Sequence, residues 1–431
     1  MNGQIEITHG GAIAVDPEAL RQVADSLFAL SPGFADAAAA VSTALGHLSS
    51  GAGFFGGGIG QLAAATERCE ALQAECASGA RSTLLMADVY ELVELRAELA
   101  ARTIRDDAAA TLLLQARIAA LTASDPKILE IEEQMMAQWE QKRFEGLDRQ
   151  FDTSIFGPMR IDLAGLIFAA AAKVGAGVGP LAPGATLQSS GGPVRVSAGQ
   201  TQHGIRPPTS LAEAFGRFPQ KGSDAQLKVE KYTMPDGRNR FILYAHGTSS
   251  AGIGGKNPLD LKSNLELYTG KESASYAATV RALEEAGAEA GDRVDVWAHS
   301  QAAMNSAYLA TQSHFDVGLQ VTAGSPVHPT LEPGQQIIEL RHTDDMISAL
   351  AGGGSPGGSG SGDSMVVTRV GDPLPGVQDV ALKTHWLGEY IDTAALLDAS
   401  DDPRMASMEQ YWKELAEAES VVSTEYVAER G

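Results

Sequence analysis

Downstream of about residue 207 the chain alternates short, β-branched apolar runs with amphipathic helical stretches, and this alternation restricts the fold more than any other feature. QLKVEKYTM, NRFILYAHG, RVDVWAH, VGLQVTAGSP, QQIIELRH and MVVTRV read as strands, with helices through SYAATVRALEEAG and from Ala303 to Gln312. Strands that are apolar almost throughout must be covered on both sides. The pattern therefore predicts an α/β unit over 207–400, a mostly parallel sheet with helices on both faces.

The first 150 residues carry a helical period instead. Asp16-Pro17-Glu18 supplies an N-cap, a proline for the first helical position and an early acid, after which Leu20, Val23, Ala24, Leu27 and Leu30 recur at three- and four-residue steps. After the turn SSGAGFFGGG, a run from Ile59 to about Ile104 places Leu62, Cys69, Leu72, Cys76, Leu85, Val89 and Leu92 at mostly heptad-like spacing. A second Asp-Pro start, Asp125-Pro126, opens a helix through Ile128, Ile131, Met135 and Trp139. A helical-hairpin domain over 1–150 follows.

Between the halves, Leu163 to Val178 is apolar, but it has only 16 residues and contains Lys173. That is short of the roughly 20 needed to cross a bilayer, so a packed or interdomain helix is expected and no transmembrane span. The Gly/Ser/Pro-rich stretch from Gly175 to about Pro208 reads as a linker, which makes 151–206 a connector. At the other end, PRMASMEQYWKELAEAES predicts an amphipathic helix within 401–431, packed on the α/β unit rather than anchored in a membrane.

At 431 residues two or three units are expected. A net charge of -22 makes the electrostatic term repulsive toward nucleic acid and anionic membranes, so neither is expected as an obligate partner. MNGQIEITHGG lacks the basic, apolar and small-residue order of a cleaved signal peptide. Cys69 and Cys76, seven apart on one helix, stand roughly 10 Å apart along its axis and cannot bridge. They read as buried small hydrophobes.

The chemistry centres on DVWAHSQAAM, Asp295 to Met304, where a strand stops at Ser300 and a helix begins. A nucleophile elbow needs small residues two before and two after its serine, because strand and helix backbones approach closely there; Ala298 and Ala302 occupy those positions. An acid and then a histidine should follow. IIELRHTDDMISAL provides Asp344 and Asp345 just past a later strand, with Asp345 favoured and Asp344 the second choice. Only His385, in LKTHWLGEY, lies beyond them; as an alternative to a base it reads as a helix-capping or surface residue. The oxyanion donors expected are the amides of Gln301, at the positive end of its helix, and of Thr248, in the loop of FILYAHGTSS. His246 reads as a satisfied strand-end histidine, and His299 as a residue that orients the turn.

YAHGTSS, VDVWAHSQAAM, VTAGSPV, ELRHTDDMISAL and THWLGEY together resemble the lipase and esterase branch of the α/β-hydrolases, with their G-H-S-Q-G elbow and an acid loop similar to E-H-x-D-D-P-V-P. The resemblance covers about 205–400. It implies Ser300 as nucleophile, Asp345 as the acid that orients the imidazole, His385 as general base, and Thr248 and Gln301 as oxyanion donors. The chain departs from the pattern at Ala298 and Ala302, and at Ser348 where a proline is usual. The N-terminal half more weakly resembles WXG100-type helical modules of type VII secretion. W-x-G is absent, with GFFG at the corresponding turn, and Tyr90 and Glu94 match Y-x-x-x-[DE], read as an export signal or as a solvated helix face.

The expected function is a serine hydrolase cleaving carboxylic (lipid or acyl) esters through an acyl-enzyme, without metal or organic cofactor. It would be exported by a type VII-like route as an effector, or act in the cytoplasm. The alternative is an interaction protein whose helical half binds a helical partner, built on a catalytically poor scaffold. Ser249 to Ser273, with Leu259, Leu261, Leu265, Leu267 and Tyr268, reads as a lid or as a packed surface excursion. AGGGSPGGSGSG, Ala351 to Gly362, has little to bury and is expected to be mobile.

Overall fold

A computed structural model describes residues 5–8, 17–50, 56–104, 108–147, 179–182, 184–189, 191–219, 223–250, 252–354, 359–374 and 382–431. The apolar stretch from Leu163 to Val178 lies outside them. The chain divides into two units, one made of Val15–Arg96 and Leu112–Met135, the other of Met1–Ala14, Ala97–Thr111 and Met136–Gly431. The division does not fall at residue 150; it cuts through helices.

The helical unit is built from α1 (Pro17–Ser50), α2 (Gly56–Ile104), α3 (Ala108–Ser124) and α4 (Lys127–Lys142). Asp125 caps α4 by accepting from Lys127 N at 2.9 Å, as the Asp-Pro start predicts. Small residues let helices approach: Ala24, Ala80 and Ala87 are fully buried. Val89, Leu92 and Ile128 form the apolar centre, with Leu85, Ile118 and Leu121 against it. Arg21 donates to Asp88 and Glu91, and Arg96 to the buried Glu132 at 2.6 Å. The predicted α1 stripe is narrower than expected, since Val23 and Leu30 are exposed. Cys69 and Cys76 are free and half-buried. Tyr90 is 7% exposed whereas Glu94 is exposed, so the two do not share one solvated face. By length and composition alone, Pro17–Leu48 of α1 would suffice to cross a membrane.

The larger unit contributes, in chain order, β1 (Glu6–Thr8), β2 (Pro180–Leu181), β3 (Val194–His203), α5 (Leu211–Phe215), β4 (Leu227–Thr233), β5 (Asn239–Ala245), α6 (Leu261–Tyr268), α7 (Ala274–Glu285) and β6 (Arg293–His299). It continues with α8 (Gln301–Gln312), β7 (Asp316–Ala323), β8 (His328–Pro329), β9 (Gln336–His342), α9 (Met346–Ala349), β10 (Met365–Arg369), a 3₁₀ turn (Lys383–His385), α10 (Leu387–Asp398), α11 (Met405–Ala416) and β11 (Ser420–Arg430). Nine strands form one sheet in the order β1-β10-β9-β7-β6-β5-β4-β11-β3.

The sheet is mixed rather than mostly parallel. β5, β6, β7, β9 and β10 are parallel neighbours, while β1, β4, β11 and β3 pair antiparallel. Two antiparallel strands come from segments read otherwise in the sequence. β3 lies inside the expected linker, and β11 follows the C-terminal helix, which ends at Ala416, and inserts between β4 and β3. Alternation along each strand builds two cores. On β6, Val294, Val296 and Ala298 pack against α7 and α8, while Trp297 faces Tyr390 of α10 and Tyr411 of α11. Asp295, also on β6, is fully buried but paired with Arg240 at 2.6 Å and Arg293 at 3.1 Å; it also accepts from Leu319 N at the β7 irregularity. Because the five central strands run the same way, residues 246–248, 300, 324, 343–345 and those after β10 all leave from one rim.

Two loops differ from expectation. Ser249 to Ser273 is packed: Leu259 and Leu267 are fully buried, and Tyr268 Oη donates to Leu350 O at 2.9 Å, leaving Leu261 and Leu265 exposed. In the glycine-rich stretch, Ala351 is fully buried and Ser359 is 6% exposed; Ser359 Oγ donates to Pro329 O at 2.6 Å and accepts from Leu331 N at 3.0 Å. Its described ends are anchored, contrary to the mobile segment expected there; residues 355–358 lie outside the described residues.

Candidate active site

Ser300 caps α8 with φ 56° and ψ -121°, a conformation costing a non-glycine residue on the order of 1–3 kcal/mol. Neighbouring backbone holds it there: Ser300 N donates to Ala323 O at 2.9 Å, and Ala303 N to Ser300 O at 2.9 Å. The turn throws Oγ off the rim of the sheet. Ala298 and Ala302 are buried at 0% and 1%, so the two methyls fit the strand-helix contact in place of glycines. Gly247 has no such room, since a Cβ there would lie 2.6 Å from Ser300 Cβ. This contact brings the loop after β5 onto the serine.

Three expected residues converge. His385 Nε2 lies 2.8 Å from Ser300 Oγ, and its Nδ1 lies 2.7 Å from Asp345 Oδ2. With Nδ1–H donating to the carboxylate, Nε2 is left to accept from the serine hydroxyl. Asp345 is itself held in place, its Oδ1 accepting from Ile347 N at 2.9 Å as the N-cap of α9. Burial pushes this carboxyl up, but the charge and hydrogen bond of His385 and the hydrogen bond of Tyr390 outweigh it and hold Asp345 down to about 2. It is ionised at neutral pH.

Asp344 points elsewhere. Its oxygens accept from Gly371 N at 2.7 Å and Asp372 N at 2.8 Å, so the second-choice acid braces the loop after β10 and is not a partner of His385. Burial raises it to about 6. Behind the acid loop, Leu147 and Phe144 pack on Met346 and Ala349, and Thr343 Oγ1 donates to Glu145 O at 2.8 Å.

The two flanking histidines each meet a main-chain oxygen. His299 Nε2 meets His385 O at 2.8 Å, and burial beside the His385 charge takes its imidazole down to about 3. It is therefore neutral and donates, holding the base's own backbone. His246 Nε2 is satisfied by Pro219 O at 2.6 Å.

Thr248 and Gln301 flank the serine from the two sides expected. The Gln301 amide is in the first turn of α8, where no intrahelical acceptor exists. Thr248 follows Gly247 on the loop pressed against Ser300, and its Oγ1 accepts from Asn264 Nδ2 at 2.6 Å.

Sequence reasoning missed three residues that build this site. Tyr390 donates to Asp345 Oδ2 at 2.7 Å. His342 stacks on Tyr390 at 3.9 Å and holds Thr384 O through Nδ1 at 2.7 Å, which fixes the residue before His385. Gly324, at φ 60°, leaves space that a Cβ would take at 3.0 Å from His385 and 3.1 Å from Asp345. Tyr390 and Gly324 lie inside THWLGEY and VTAGSPV, but only the folded chain shows what they touch. Among the described residues no cluster of His, Cys, Asp and Glu is arranged to hold a metal. Comparison with protein-family models, curated proteins and solved structures gives no match.

Proposed function

We propose that the protein is a serine hydrolase of carboxylic esters, built on an α/β-hydrolase-like unit. The observation that carries this reading is His385 bridging Ser300 and Asp345 at 2.8 and 2.7 Å on a strained strand-to-helix turn. The placement of the four loops supports it. Thr248 follows β5, Ser300 follows β6, Asp345 follows β9 and His385 follows β10, in the chain order the resemblance implies.

Ser300 Oγ attacks the acyl carbon while His385 Nε2 takes its proton, and the carbonyl oxygen gains negative charge between the amides of Thr248 and Gln301. His385 then returns the proton to the departing alkoxide, leaving an acyl-serine and a free alcohol. Water, deprotonated by the same nitrogen, attacks the acyl carbon and releases the acid, and Ser300 recovers its proton. Asp345 stays ionised throughout and stabilises the imidazolium. Ser300 is 8% exposed, so its surroundings are mostly dry, which strengthens both charge interactions.

Alanines in place of elbow glycines would suit the interaction-protein alternative, but the buried fit of Ala298 and Ala302 favours the enzyme over it. Turnover of short p-nitrophenyl esters is the test: wild type is expected to release p-nitrophenol and Ser300→Ala to show none, whereas equal turnover by both would remove the assignment. Export, and a helical partner for the N-terminal unit, are parts of the same proposal that rest on the WXG100-like resemblance.

A further inference from the structure

Both candidate oxyanion residues are fastened by their side chains to the first turn of α6, Gln301 to the main chain of its cap Asp260 and Thr248 to Asn264. Asp260 is fully buried at the start of α6, with Oδ1 accepting from Ser263 N at 2.9 Å and Oδ2 from Gly254 N at 2.7 Å. Its main-chain oxygen accepts from Gln301 Nε2 at 3.0 Å, so the residue after the nucleophile is fastened to this cap. One turn into α6, Asn264 Nδ2 reaches Thr248 Oγ1 at 2.6 Å. Leu259 O takes the amides of Ser249 at 3.0 Å and Ser250 at 3.2 Å, which closes the stretch after Thr248 onto the same cap.

A buried carboxylate needs a cation, and the last strand brings one. From the end of β11, Arg430 Nη1 donates to Asp260 Oδ2 at 2.8 Å and to Gly255 O at 2.7 Å, while Nη2 donates to Asp260 Oδ1 and Ser263 Oγ, each at 3.1 Å. Arg430 N also bonds Lys256 O at 2.6 Å. The fork spans both carboxylate oxygens, a geometry lysine does not reproduce.

We propose that Arg430 and Asn264 are positioning residues for the oxyanion hole: Arg430 sets the Asp260 cap, and the cap places Gln301 directly and Thr248 through Asn264. The proposal rests on the hydrolase reading of the site. It also gives a purpose to a strand inserted next to β4, since that insertion carries the guanidinium to the loop. Neither residue touches the substrate. Their effect is on donor placement, where displacements of about 1 Å cost rates on the order of 100-fold.

The test uses the full chain with Arg430→Ala, Arg430→Lys and Asn264→Ala, measuring kcat and KM on p-nitrophenyl acetate together with thermal melting. All three are expected to lose kcat on the order of 10- to 100-fold with KM little changed. Guanidinium, kept well below its denaturing range, should restore part of the rate to Arg430→Ala and none to Asn264→Ala. If Arg430→Ala fails to fold, the half-buried Asn264 and the charge-conserving lysine carry the test. Unchanged kcat in Asn264→Ala and Arg430→Lys overturns the proposal, as does a loss in Arg430→Ala that follows its melting temperature and is not rescued. An inactive wild type instead overturns the hydrolase reading itself.

Discussion

Tyr390 and His385 converge on one oxygen of Asp345, each at 2.7 Å, one from a phenol and the other from an imidazole. The second oxygen serves the α9 cap, so both sides of the carboxylate are occupied and its rotamer is set before any substrate binds. The residue that aims the base is thus itself aimed by a residue five positions beyond that base.

Replacing Tyr390 by phenylalanine removes one of the hydrogen bonds that hold the carboxyl near 2. Asp345 then becomes easier to protonate. The acid limb of the kcat/KM profile is expected to move to higher pH, with the plateau falling about 10-fold as the carboxylate gains freedom. A pH-rate profile of Tyr390→Phe beside wild type checks both.

The two adjacent aspartates separate cleanly. Asp345→Asn leaves the shape but forces the wrong imidazole tautomer, and kcat is expected to fall on the order of 10⁴-fold. Asp344→Asn keeps one of the two oxygens that accept from Gly371 and Asp372 and leaves His385 untouched, so turnover should remain within several-fold of wild type. Steady-state kinetics of the pair decides between them.

Gly247→Ala places a methyl 2.6 Å from Ser300 Cβ, against a backbone that cannot yield. The loop after β5 must then retreat. Loss of kcat on the order of 100-fold is expected with circular dichroism unchanged.

The histidines give acid sensitivity a definite sign. Burial holds His342 down to about 4, against an ordinary value near 6.5 in the unfolded chain. Between those values the unfolded chain binds a proton that the native state refuses, so stability is complete above about 6.5 and declines as pH falls toward 4. His299, held near 3, adds in the same direction. Asp344 opposes them: raised to about 6, it contributes stability at low pH that is lost as pH rises through that value. Asp398, raised by burial, opposes them too, while Asp345 and Asp260, held at about 2, act with the histidines; a net rise in urea midpoint from pH 4 to 7 is expected, and His342→Gln should flatten it.

The central strands and the three converging residues were legible because each lies at a strand end, where apolar runs stop and order along the chain restricts the choice. β3 was not, since its burial pattern is almost wholly exposed and its one apolar alternation, Val194, Val196 and Ala198, is short and sits in a Gly/Ser/Pro-rich stretch. On β11 the buried positions change face, Val421 belonging to one core and Tyr426 and Ala428 to the other, and the break comes where the register against β3 shifts, between Thr424 and Tyr426. A period count across the break cancels itself. Tyr390 and Arg430 escaped for another reason: their partners lie 45 and 170 residues away, and nothing local distinguishes them from an ordinary core tyrosine or a chain-end arginine.

The most direct measurement asks whether the Ser300 hydroxyl is activated by its neighbours. A fluorophosphonate probe, followed by mass mapping of the adduct, is expected to modify Ser300 in the folded wild type and to leave Ser300→Ala unmodified and His385→Gln nearly so. A folded wild-type protein that takes no label, or equal labelling when His385 is replaced, would contradict the account.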